Sequence, residues 1–276
     1  MNTQPNWQHI FEECKNNIQK AIQPCLKTLN EPQPKLGMGA GGDLMKPADL
    51  ASESAIIETL KKHDVSFTLI SEESGIKKYG FSAEDCYITV DPIDGTTNLT
   101  RNLPFYCTSI AVSNTPYLAN VYAGMIADLV HDQTYVAFAG RGAFCNGKPI
   151  HTSKTQRLDE ACIGLDLNAY KTSLNMDFAA KIIENTKHTR HFGANALEIC
   201  YVASGLTDAF IDLRTRIRTT DVAAGFLIAK EAGTIITDKA NQPINVPLDP
   251  KQTLNFVASA NTDIHKQILS LISADV

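Results

Sequence analysis

The stretch that most restricts how this chain can fold is Asp91-Pro92-Ile93-Asp94-Gly95-Thr96-Thr97-Asn98, which follows the β-forming run Cys86-Tyr87-Ile88-Thr89-Val90. That run predicts a strand over Tyr87–Val90, ended by a proline, two carboxylates three residues apart and a glycine. Crowded carboxylates repel one another, and removing them from water is costly unless a cation neutralises them. Oxygen donors with no His or Cys nearby favour Mg2+ over zinc. The backbone N–H groups and hydroxyls of Gly95-Thr96-Thr97 are what a phosphate oxygen or an attacking water needs close by. Metal-assisted phosphate chemistry is one reading. A solvated surface turn is the other, since Asp-Pro and Asp-Gly are ordinary turn dipeptides. Other carboxylates in the chain must decide between them.

At 276 residues the chain suits one large domain or two intimate halves. A chain of this length buries about 75% of its unfolded surface, so it needs no staples. The net charge of −5 argues against a bulk nucleic-acid binder. The seven cysteines are scattered singly, without a Cys-x-x-Cys pair, and several lie in apolar runs as buried reduced thiols do. The first residues do not read as a signal peptide, and no apolar run reaches about 18 residues. The expectation is a soluble, cytoplasmic protein with no membrane or nucleic-acid partner.

Apolar residues at Trp7, Ile10, Phe11, Cys14, Ile18 and Ile22 fall at helical spacing. After a break at Pro32 and Pro34 comes a loop, Gly37-Met38-Gly39-Ala40-Gly41-Gly42-Asp43, too rich in glycine to be core. A helix is predicted from about Asp49 to Lys62, with Asp49 as its N-cap. Strands are predicted over Ser66–Ser71, Thr108–Ser113, Ala119–Ala127 and Thr134–Ala139, then a hairpin turning at Asn146-Gly147. The second half alternates: strand Ala161–Leu167, helix about Met176–Asn185, helix Ala196–Ala203, strand Asp208–Leu213 and helix Asp221–Ala232. Strands Thr234–Thr237 and Asn255–Ala260 and a helix from about Asp263 complete it. Such a mixture in layers predicts α/β or α+β architecture. A change of pattern near residues 150–158 predicts one unit over 1–276 built of subdomains about 1–150 and about 151–276.

Glu72, in Ser71-Glu72-Glu73-Ser74-Gly75, should emerge at a strand end as Asp91 does, and strand ends are where α/β proteins collect ligands. Asp221 opens a helix whose alanines and Gly225 permit close packing; alone it reads as an N-cap. Asp43 and Asp49 flank the glycine loop, and each alone reads as a turn or cap residue. Together Glu72, Asp91, Asp94 and Asp221 supply four carboxylates at element ends, enough for two or three Mg2+ ions that keep some water.

These residues carry a resemblance. Glu72-Glu73-Ser74, then Asp91–Asn98, then Asp221-Val222-Ala223-Ala224-Gly225 resemble the three motifs of the inositol monophosphatase superfamily, in the family's order and at its approximate spacing. The hairpin from Gly140 to Gly147 is also similar, and the likeness runs from about residue 5 to residue 270. Met38–Asp43, and Phe210–Arg214 with Arg218–Asp221, look most like the archaeal type that combines inositol monophosphatase and fructose-1,6-bisphosphatase activity.

The resemblance implies a layered α-β-α-β-α sandwich of the sugar phosphatase type, assembled as a homodimer. It implies a small sugar or inositol phosphate as substrate and two or three Mg2+ ions, with Mn2+ as a substitute. Glu72, Asp91 and the Ile93 carbonyl would hold one ion; Asp91, Asp94 and Asp221 a second; Glu72 would help with a third. Thr96, partnered by Asp49, would orient the attacking water, and Asp43 would lie in the catalytic loop. The N–H groups of Gly95 and Thr96 would hold the phosphate, with Asn195 also on the substrate side.

Two departures stand out. Thr220 replaces the family's usual Trp, which would alter the pocket wall without touching metal binding. Arg214 replaces a glutamate of the inositol-preferring enzymes; it would favour an anion such as a second phosphate, or else sit in a surface or interface salt bridge. The same motifs serve 3′-phosphoadenosine 5′-phosphate nucleotidases and NADP phosphatases. Some bacterial members have a binding role in transcription or ribosome complexes.

Overall fold

Strands that are apolar on both faces need helices on both sides, and the strands bearing the acidic motifs are of that kind. The computed structural model describes residues 5–29, 31–32, 34–168 and 177–273. Its first sheet comprises β1 Phe67–Ser71, β2 Gly75–Tyr79, β3 Tyr87–Asp94, β4 Cys107–Ser113, β5 Val121–Asp128, β6 Thr134–Phe138, β7 Ala143–Cys145 and β8 Lys148–Pro149, in the order β2-β1-β3-β4-β5-β6-β7-β8. The second comprises β9 Cys162–Leu165, β10 His188–Arg190, β11 Ala209–Arg218, β12 Ile235–Thr237 and β13 Thr253–Ser259, in the order β10-β9-β11-β13-β12. Every residue of β1 and β4 is buried.

Helices α1 Trp7–Lys27 and α2 Pro47–Lys62 cover the outer face of the first sheet, where Ile10, Phe11, Ile18, Ile56 and Leu60 pack on Leu69, Ile88 and Val90. A one-turn helix, α3 Thr96–Thr100, follows β3, and α4 is Asp177–Asn185. Between the sheets lie α5 Asn195–Ala203 and α6 Thr219–Ala232, packed against Ile126 and Tyr135 on one side and Phe210 and Phe256 on the other. With α7 Thr262–Ser273, α4 closes the far face over Ile163, Ile211 and Val257. The layers run α-β-α-β-α, as the motifs implied. Because α6 is enclosed from both sides, it is apolar nearly all round rather than striped.

Element ends differ from the sequence reading in instructive places. Exposed Lys77 and Lys78 hide β2 from pattern analysis; it forms because it pairs antiparallel with β1 along its whole length. The three residues of β10 form through parallel pairing with β9. Past the predicted end at Leu213, β11 continues to Arg218 across a break in register between Asp212 and Ile217. The Asn146-Gly147 turn is present, both residues having the positive φ (48° and 75°) that such hairpins require. Met176, predicted to open a helix, lies outside the described residues; α4 is described from Asp177.

Glycine lets α6 approach its neighbours. A Cβ on Gly225 would lie 3.2 Å from Cγ2 of Ile199 on α5, and one on Gly124 would lie 3.1 Å from Cα of Ala224. Gly225→Val should therefore destabilise the fold by about 1–3 kcal/mol through overpacking. Thermal melting checks this, and an unchanged melting temperature would show that the layers are looser than described.

Candidate functional site

Strands β1 and β3 are parallel neighbours with Ser71 opposite Val90, so Glu72 and Asp91 leave the sheet side by side. Along a regular strand, residues three apart face opposite sides, which would separate Asp91 from Asp94. Pairing with β4 instead steps from Asp91–Ser109 to Asp94–Cys107, three residues on β3 against two on β4. This one-residue bulge restores a common face for the two carboxylates. Pro92, which has no N–H for the ladder, sits within it, and its carbonyl accepts a hydrogen bond from Ser52 Oγ at 2.8 Å. At the end of the strand Gly95 adopts φ +92°, and a Cβ there would meet the Phe105 carbonyl oxygen at 3.0 Å.

Asp49 and Asp221 are not N-caps, as the sequence suggested, but third helical residues that reach back to the cap. Asp49 Oδ2 accepts the Lys46 N–H at 3.0 Å, and Asp221 Oδ2 accepts the Arg218 N–H at 3.1 Å. In α2 the first turn is set by Pro47, whose missing N–H costs nothing there. Both carboxylates sit at the positive end of a helix dipole. A third N-terminus, that of α5, points at Asp94, whose Oδ2 accepts the Ala196 N–H at 2.6 Å. Thr220 also departs from expectation. Instead of shaping a pocket wall it is fully buried, and its hydroxyl donates to Asp221 Oδ1 at 2.9 Å.

Carboxylate oxygens of Glu72, Asp91 and Asp221 lie within 4.8 Å of one another. Burial, reinforced by Asp221 and Glu73, pushes the Glu72 carboxyl up to about 8 against the opposing pull of Arg218. Burial and then the charges of Glu72, Asp94 and Asp221 raise Asp91 well above the usual range. Asp94 is raised to about 7 by burial and by Asp221, although the backbone N–H groups of α5 favour its charged form. Asp49 rises to about 6, chiefly through burial.

Arg218 belongs to a segment that carried the resemblance, but motif reading assigned it no role. Its Nη2 lies 2.8 Å from Glu72 Oε1 and its Nη1 2.9 Å from Asp43 Oδ2, with Nε 3.6 Å from Asp221 Oδ1. The glycine loop closes against it: the Gly41 N–H donates to the Glu72 carbonyl at 2.7 Å and the Ala40 N–H to the Glu73 carbonyl at 3.0 Å. A Cβ on Gly41 would sit 2.5 Å from Arg218 Nη1 and 2.8 Å from Glu72 Cγ, so a side chain there would push the guanidinium out of its present place. The sequence signal for Arg218 was its place three residues before Asp221, but nothing local pairs it with Glu72. Thr96 Oγ1 donates to the Ile93 carbonyl at 2.9 Å and lies 3.3 Å from Asp49 Oδ1. Asn195 opens α5 beside Asp94's partner Ala196; its Oδ1 is buried without a partner among the described residues.

Arg214 stands apart from this group. Its guanidinium pairs with Asp212, Nη2 to Oδ2 at 2.6 Å and Nε to Oδ1 at 3.0 Å, and also with Asp166. Of the two sequence readings, the salt-bridge one describes its contacts, and the partners are buried rather than superficial. Glu198, also overlooked, accepts the N–H groups of Phe192 and Gly193 at 3.0 Å each, and burial raises it to about 8.

A buried, oxygen-only donor set with one guanidinium among several carboxylates suits a hard divalent cation. Mixed layers enclosing such a set define a hydrolase of the sugar phosphatase type. The chain belongs to the inositol monophosphatase family, whose model matches residues 8–275, and it is a phosphoric monoester hydrolase. It is 33% identical to a fructose-1,6-bisphosphatase/inositol-1-monophosphatase of Methanothermobacter thermautotrophicus, over 96% of each chain. It is 32% identical to a bifunctional NADP phosphatase/NAD kinase of Methanococcus maripaludis, over 92% of this chain and 48% of that protein. Among solved structures it resembles an inositol monophosphatase-fructose 1,6 bisphosphatase, with a TM-score of 0.85 and 28% identity, over 97% of this chain and all (100%) of the other. The extragenic suppressor protein suhB of Bartonella henselae superposes with a TM-score of 0.82 at 25% identity, over 99% and 100% of the two chains.

Two predictions follow from the charges. Arg214→Ala leaves Asp166 and Asp212 as uncompensated buried anions and should cost about 3–5 kcal/mol, read by thermal or urea unfolding; an unchanged midpoint would show the cluster to be inert. The acidic group titrates with the opposite sign from ordinary salt-bridged carboxylates. Folded values of about 7 and 8 for Asp94 and Glu72 lie well above the ordinary 3.8 and 4.5 of these carboxyls. Folding therefore takes up protons, and stability is lost as pH rises through that window. In chelator, Asp91→Asn should melt higher than the parent at about pH 8 by on the order of 1 kcal/mol, the gap shrinking towards pH 5. A pH-independent difference would contradict this origin.

Proposed function

We propose that this chain hydrolyses fructose 1,6-bisphosphate, inositol monophosphate or both, using Mg2+ held by Glu72, Asp91, Asp94, Asp221 and the Ile93 carbonyl. The observation that carries the reading is the convergence of the Glu72, Asp91 and Asp221 oxygens within 4.8 Å. Support for the substrates comes from the archaeal relatives that bear both activities in their names. Two or three ions fit the number of carboxylates, and Mn2+, which shares the oxygen-ligand preference, should substitute. Bound there, the ions would lower the pKa of coordinated water and offset charge on the phosphate.

The protein's own groups would then position the reactants. Thr96 Oγ1, between the Ile93 carbonyl and Asp49, would orient the attacking water. Asp49, raised to about 6, is mostly ionised at neutral pH and so able to take a proton through Thr96. The N–H groups of Gly95 and Thr96, at the start of α3, would hold phosphate oxygens, with Asn195 beside them. Asp43 would act from the glycine loop through its contact with Arg218. In this reading residues about 1–150 carry the metal and phosphate motifs, and about 151–276 the substrate side and the last metal aspartate, Asp221. The active form would be a cytoplasmic homodimer acting on small molecules, not on nucleic acid. Among the described residues no helix is long and apolar enough to cross a membrane.

The relative with NADP phosphatase in its name favours a second substrate, NADP. Phosphate release from fructose 1,6-bisphosphate, inositol 1-phosphate, 3′-phosphoadenosine 5′-phosphate and NADP, with and without Mg2+, separates the readings. Asp94→Asn should remain folded and lose roughly a hundredfold or more in Mg2+-dependent rate. Near-parental turnover in that variant would remove the site assignment.

A further inference from the structure

A second group of metal-competent side chains lies outside the acidic centre, on the outer helical layer. His9 and Glu13 are four residues apart on α1 and so share one face of it. His63 is the C-cap residue of α2. One ligand atom from each of the three lies within 4.8 Å of the other two. His63 Nε2 is 2.8 Å from Glu13 Oε2, and the two imidazoles meet edge to face at 5.4 Å between centroids and 87°.

We propose that His9, Glu13 and His63 form a surface site for a borderline transition-metal ion of the Zn2+, Co2+ or Ni2+ class. The donor set is two imidazoles and one carboxylate, which selects such ions over the Mg2+ favoured by all-oxygen sites. A tetrahedral ion with bonds of about 2.0–2.1 Å holds its ligands about 3.4 Å apart. The three ligand atoms lie within 4.8 Å of one another, with one pair at 2.8 Å, so side-chain rotations would be needed to bring them to that spacing, and water would complete the set.

The two helices are fixed beside the triad. Asn17, one turn beyond Glu13, donates to Thr59, one turn before His63, at 2.9 Å. This antiparallel pairing presents His63 to the His9–Glu13 face without the ion. The competing cation is Lys62, which pairs with Glu13 Oε1. Its contact uses only Oε1; Oε2 is held by His63 Nε2, and the ion would replace that hydrogen bond, entering between the two as the imidazole turns. His63 and Glu13 side chains keep 24% and 19% exposure, enough for entry from solvent, and His9 is exposed. None of the three is in the machinery proposed for phosphate hydrolysis, so the site stands or falls separately from that reading.

Zn2+ and Co2+ titrations in excess Mg2+, followed by calorimetry and by the visible absorption of Co2+, test the proposal. The parent protein should bind one equivalent that His9→Gln/His63→Asn binds about tenfold more weakly or worse. Asp91→Asn should retain that equivalent together with its Co2+ spectrum. Circular dichroism and Mg2+-dependent phosphatase rates, expected unchanged in the double variant, report that it is folded. Glu13→Gln supplies a single-site check in which the same equivalent weakens. Equal uptake and the same spectrum in parent and double variant, or no such equivalent in the parent, would overturn the proposal and leave the cluster as a Lys62–Glu13–His63 ion-pair clip.

Discussion

Repulsion among buried carboxylates is the constraint around which this molecule is arranged. Unit charges 4 Å apart interact by about 4 kcal/mol at an effective dielectric of 20; Glu72, Asp91 and Asp221 meet in one buried junction, and buried Asp94 lies close enough to raise Asp91 further. The surrounding structure meets that cost in several ways at once. Helix N-termini face Asp94 and Asp221, Arg218 reaches across to Glu72, and the carboxyls hold their protons to unusually high pH. A local excess of negative charge kept dry, at a cost to stability, is what a site for divalent ions and phosphate requires.

The layers exist to bring that junction together. Glu72 and Asp91 come from adjacent parallel strands, whereas Asp221 comes from a helix that enters between the sheets. Only a helix apolar on nearly every side could occupy that middle layer, and α6 needs Gly225 and Gly124 to approach closely enough. Packing far from any reacting group thus sets the distance between acidic side chains.

Two arginines four residues apart illustrate what a motif comparison misses. Arg214, which the motif comparison put forward as an anion contact, pairs instead with Asp166 and Asp212. Arg218, noted in sequence only as part of the Arg218–Asp221 segment and given no role, contacts Glu72, Asp43 and the Gly41 carbonyl at once. Which carboxylates an arginine meets depends on chain segments far away in sequence. Thr220 teaches the same lesson: its side chain turns inward to Asp221 rather than outward to a pocket.

The sequence alone determined the kinds of element, the layered class and the acidic residues at element ends. Alternation, helical spacing and turn residues are local signals, and the Asp-Pro-Ile-Asp-Gly run marks a strand end whatever surrounds it. The polar strand β2 and the short β10 stayed hidden, because each forms only by pairing with a neighbour. So did the third-residue capping of Asp49 and Asp221, which depends on where a helix actually begins. Tertiary structure alone decided that Asp91 and Asp94 share a face, through a bulge measured against β4. It also decided that Arg218 rather than Arg214 joins the carboxylates. Long-range register and burial settle such questions, and they are properties of the assembled layers rather than of any window of residues.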